Sequence, residues 1–78
     1  EIAQSWAGDH AMTRLDALKL ALQGERRGFE FYYTVANTTT DKQIQSVAKE
    51  FVREETDHVE TLKLWIEKEE TSIRVKAL

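Results

Sequence analysis

Glu55, Thr56, Asp57 and His58 set a carboxylate and an imidazole three positions apart. On an α-helix that separation sends two side chains from one face, where they can reach the same ion. A second carboxylate, Glu25, stands earlier in the chain in a similarly apolar setting. Carboxylate oxygens with one imidazole per metal suit iron or manganese better than a thiolate-seeking ion. The chain has no cysteine, so a thiolate zinc site, an iron–sulfur cluster and a disulfide framework are excluded.

What makes these three residues stand out is the company they keep. Glu25 interrupts the row Leu15, Leu18, Leu22, Glu25, Phe29, Tyr32, Ala36. Glu55 and His58 interrupt the row Ile44, Ala48, Phe51, Glu55, His58, Leu62, Trp65. Both rows alternate steps of three and four, which keeps one helix face turned to a partner helix. A carboxylate in such a seam is costly unless it is paired, hydrogen-bonded or bound to metal. The bland alternative is a helical hairpin in which Glu25, Glu55 and His58 form a polar network that fixes register. Three such residues at one height favour the metal reading.

Two helices must hold them. Thr13 with Asp16 three residues on forms a capping pattern, predicting a helix from about Arg14 to Ala36 or Asn37. Asn37, Thr38, Thr39 and Thr40 end it, because their side chains compete for backbone hydrogen bonds. Thr40 and Gln43 form a second capping pattern, predicting a helix that runs to roughly Glu70. Residues 1–12 read as a loose lead-in, 13–70 as the helical hairpin and 71–78 as a tail of uncertain structure. So short a loop makes the helices antiparallel. With the turn centred near residue 39 or 40, Glu25 falls level with residues 53 to 55, opposite Glu55. The expected class is all-α.

Composition narrows the rest. Seventy-eight residues allow at most one small domain. The net charge is −3, from 11 basic and 14 acidic residues, and no basic patch points to nucleic acid. No apolar run approaches the roughly 18 residues of a membrane span, and no signal-peptide pattern is present. A cytoplasmic location is expected. The first residue is Glu1 and not Met, so the chain reads as a processed product or a fragment.

One Glu from each of two helices and Glu-x-x-His from each of two others is the ligand set of di-iron carboxylate bundles. This chain carries half of it, and two copies would supply four carboxylates and two imidazoles. The run Ala21-Leu22-Gln23-Gly24-Glu25-Arg26-Arg27-Gly28-Phe29-Glu30-Phe31-Tyr32, followed by Phe51-Val52-Arg53-Glu54-Glu55-Thr56-Asp57-His58, resembles the rubrerythrin branch of the ferritin-like superfamily. The resemblance covers about residues 15–67. It implies that Glu25, Glu55 and His58 are iron ligands and that Tyr32 stands beside the metal without binding it. It also implies a four-helix bundle, here reached by dimerisation of a hairpin that matches one half-repeat. Two iron ions per dimer follow, with manganese or zinc as alternative occupants. Fe(II) and O₂ or peroxide would be the substrates, making a ferroxidase or a peroxide-reducing oxidoreductase the expected class. The absence of cysteine removes the rubredoxin module of a full rubrerythrin. A non-redox dimerisation module with a structural or vestigial metal site is the competing function.

Smaller features carry expectations of their own. Gly24 and Gly28 either admit a partner helix near the ligands or are tolerated on a flank. Glu50, Glu54 and Asp57 form an acidic stripe, read as a solvated face that could also guide cations. Phe31 and Tyr33 read as packing residues, Trp65 as core, and His10, Arg26 and Arg27 as surface.

Overall fold

The computed structural model describes residues 12–78 and contains two helices, α1 (Arg14–Thr38) and α2 (Lys42–Ala77), with no strand among the described residues. The expected lead-in, with His10, lies outside the described residues apart from Met12, which is exposed.

Thr13 caps α1 as expected. Its side chain accepts from Asp16 N at 3.0 Å, and the Asp16 carboxylate accepts from Thr13 N at 3.2 Å. These bonds satisfy two of the amides that a helix start leaves unpaired. The far end of α1 runs to Thr38, slightly beyond the predicted stop. Asn37 and Thr38 stay helical because each side chain donates back to a carbonyl four residues earlier, Tyr33 O and Thr34 O.

Asp41, not Thr40, caps α2. Its Oδ1 accepts from Gln43 N and Ile44 N at 2.9 and 3.0 Å. Asp41 N in turn donates to Thr39 Oγ1, which holds the three-residue turn tight and brings the Asp41 carboxylate over the helix start. The other difference lies at the C-terminus, where α2 continues through the expected tail to Ala77. Residues 71–77 contain neither Gly nor Pro, and Arg74 and Lys76 lie in the last turn, where cations favour the helix dipole.

The helices are antiparallel neighbours. Gln45 Nε2 donates to Ala36 O near the turn, and Arg14 pairs with Glu69 at 3.7 Å near the far end. These contacts bracket the predicted register, so Glu25 and Glu55 come level as expected. On α1 the predicted row is the inner face: Leu15 to Tyr32 are half-buried and Ala36 is buried.

The row on α2 needs correction. Ala48, Glu55 and Leu62 face α1, but Ile44, Phe51, His58 and Trp65 are exposed, Trp65 by 53%. The inner face instead runs Gln45, Ala48, Val52, Glu55, Val59, Leu62, Ile66, Glu69. The predicted ladder straddled the edge of the inner face, so alternate rungs turn to the open flank. Among the described residues, Ala36, Ala48 and Leu62 make up the buried hydrophobic core. The smallest extent of the molecule is 12 Å, one helix thick.

Candidate metal centre

The site sits midway along the hairpin, where opposed inner faces switch from apolar to ionisable. Glu25 comes from α1, and Glu55 and His58 come from successive turns of one face of α2. His58 Nδ1 lies 3.3 Å from Glu25 Oε2 and 3.2 Å from Glu55 Oε1. His58 Nδ1 is thus within hydrogen-bond reach of one carboxylate on each helix, and its contact with Glu25 ties α2 to α1.

Burial is graded across the three. The side chains are 16% exposed for Glu55, 32% for Glu25 and 55% for His58. The site is therefore least exposed at Glu55 and opens at His58, on the same flank as Ile44, Phe51 and Trp65. Desolvation, followed by the hydrogen bond and charge of Glu25, pushes the Glu55 carboxyl above its ordinary range, although His58 pulls the other way. The His58 imidazole is also held above its usual value. The hydrogen bond to Glu25 is the main cause, desolvation opposes it, and Glu55 adds to it.

The donor set fits a cation. One ligand atom from each of Glu25, Glu55 and His58 can be chosen so that all lie within 4.8 Å of one another. Donors bound to one ion at about 2.0–2.2 Å lie no more than about 4.4 Å apart. His58 Nδ1 already lies within that limit of both carboxylates.

Tyr32 is not gathered with the three. It lies about 10 Å of helix rise from Glu25, with its ring stacked on Phe51 at 4.7 Å and met edge-on by Phe31 at 5.3 Å. It belongs to an apolar groove near the turn, lined by Phe31, Tyr32, Val35, Ile44, Val47 and Phe51. Phe31 and Tyr33, expected to pack, are 63% and 55% exposed; Tyr33 stacks on Phe29 along its own helix. Glu50, Glu54 and Asp57 are exposed, as are Arg26 and Arg27.

The two glycines differ. A Cβ added at Gly24 would meet nothing within 4 Å, whereas one at Gly28 would collide with the Glu55 carboxylate. Sequence spacing placed both beside Glu25 and could not separate them, because the contact comes from the opposite helix.

Comparison with known proteins finds no matching family, no matching curated protein and no matching solved structure.

Proposed function

We propose that the chain is a di-iron carboxylate protein of the ferritin and rubrerythrin type, acting as a dimer whose four helices enclose two metal ions. The convergence of one ligand atom each from Glu25, Glu55 and His58 carries this reading. No cysteine is available, and two oxygen donors with one imidazole suit iron, with manganese or zinc able to compete. Support for the second copy comes from α2. Ile44, Phe51 and Trp65 stand on the flank where His58 opens, and the hairpin leaves them uncovered. A C2 partner would cover that flank with its own equivalent and bring the two triads together.

In this arrangement Glu55, the least exposed of the three, would hold metal together with Glu25 and His58, each chain giving one such set. Bound iron would supply electrons from Fe(II) to dioxygen or peroxide. The residues of the chain hold the donors level, exclude bulk water at the Glu55 side and leave the His58 side accessible. Binding needs a neutral imidazole and ionised carboxylates, so loading would release protons.

One observation favours a second reading. His58 Nδ1 lies within hydrogen-bond reach of both carboxylates without any ion, as it would in a dimerisation module that has no redox use. Adding Fe(II) in air separates the two. The di-iron protein should oxidise it faster than protein-free buffer and bind one metal per chain, and Glu25→Ala and His58→Ala should lose both properties. Oxidation at the background rate, or full metal occupancy in both variants, would sink the di-iron reading.

A further inference from the structure

We infer that Gly28 is a positioning residue for Glu55, holding open the space that the ligand carboxylate must occupy. This rests on the metal-binding reading above and adds a residue to it. A Cβ at Gly28 would overlap Glu55 Oε2 and would lie 3.3 Å from Glu55 Cδ and 3.8 Å from Cγ. All three nearest atoms belong to one side chain, and no backbone atom of α2 comes closer than 3.8 Å to the added carbon. The helices therefore need not part to admit a methyl group. The end of a flexible side chain must move instead, and that end is the metal ligand.

Glu55 has little room to move without losing its role. Its Oε1 meets His58 Nδ1 at 3.2 Å, and its side chain is mostly buried against α1. Swinging the carboxylate off Gly28 turns both oxygens away from the point where the Glu25 and His58 donors converge. Gly28 is a poor helix former inside a 25-residue helix, and φ there is not positive. Backbone conformation thus gives no reason for glycine, and the carboxylate does. Gly24, one turn earlier on the same helix with open space above it, is a built-in control.

Gly28→Ala and Gly24→Ala should be compared with wild type in the full chain. Both variants should keep helical content and, without metal, melt no lower than wild type. In anaerobic Fe(II) titrations Gly28→Ala should lose about 10- to 100-fold in affinity, the usual effect of disturbing what orients a ligand. Gly24→Ala should bind as wild type does. Co(II) absorption should report altered coordination in Gly28→Ala alone. Glu55→Asp, which withdraws the carboxylate, should cost less affinity in the Gly28→Ala background than in wild type. Without metal, the Glu55 carboxyl carbon resonance should move in Gly28→Ala and stay put in Gly24→Ala. Equal Fe(II) affinity in all three proteins would overturn the inference and leave the metal site standing. So would melting of Gly28→Ala well below Gly24→Ala, since the cost would then fall on the fold. If wild type binds no metal but the carboxyl resonance still moves in Gly28→Ala, the metal reading fails and the steric role of Gly28 survives it.

Discussion

Glu55 carries the sharpest conflict between stability and function. It is the most buried of the three donors, and desolvation and Glu25 both oppose its charge. Leucine at this position would continue the inner row from Val52 to Val59. Glu55→Leu should therefore stabilise the metal-free protein by on the order of 1 kcal/mol, read as a higher melting temperature at pH 7, and should abolish metal binding. A lower melting temperature would mean that the polar triad holds the helices together. His58→Leu offers no such gain, because that side chain is more than half exposed. The pH dependence follows from the same shifts. Glu55 and His58 both bind protons more tightly in the folded state. Their stabilisation is complete below the unfolded-chain values, about 4.3 and 6.5, and is lost as pH rises through the higher folded values. The melting-temperature advantage of Glu55→Leu over metal-free wild type should thus widen from about pH 4 to about pH 8. A constant gap would remove the Glu55 assignment. Metal works in the opposite sense, since its ligands must shed protons first.

The elements explain what could be read from the chain and what could not. Thr13 and Asp16 announced the start of α1 because both halves of a capping box are local in sequence. Thr40 and Asp41 are both competent caps, and adjacent candidates do not rank themselves. The Thr39 hydroxyl, which anchors Asp41 N, decides between them. Asp41→Ala should accordingly cost about 1 kcal/mol in urea unfolding, whereas Thr40→Ala should cost little. Comparable losses would show that the cap is shared. The seam of α1 was fully legible, as one helix packing on one neighbour leaves one apolar row. On α2, Ala48, Glu55 and Leu62 lie on the inner face as predicted, Phe51 and His58 reach Tyr32 and Glu25 from its edge, and Ile44 and Trp65 turn outward. Periodicity reports that residues share a broad apolar arc, but it does not say which edge of that arc the neighbour takes. Glu25, Glu55 and His58 could be grouped from spacing because the turn fixes their common height. Gly28 could not, because its contact depends on how α2 is rotated.

A hairpin one helix thick has no interior to speak of. Three buried apolar residues, two of them alanine, cannot offset the ordering of 61 helical residues. Folding and association should be one event, with a melting temperature that rises with protein concentration and a dimer or its multiple in sedimentation. Trp65→Lys, on the open flank and more than half exposed, should lower that melting temperature and weaken the dimer. A folded, monodisperse monomer at micromolar concentration would exclude the shared site.

The tie between His58 and Glu25 joins residues 33 apart in sequence. In a chain without cysteine, an ion held there would act as a reversible crosslink. It would close a loop of this length around the turn in any state that keeps it bound. By the chain-entropy argument a covalent link of that span removes about 3–4 kcal/mol of freedom from the unfolded chain. A chelator would then act as a reductant does on a disulfide. It would cut a stitch from a fabric one layer deep, and the hairpin, still closed, would melt at a lower temperature.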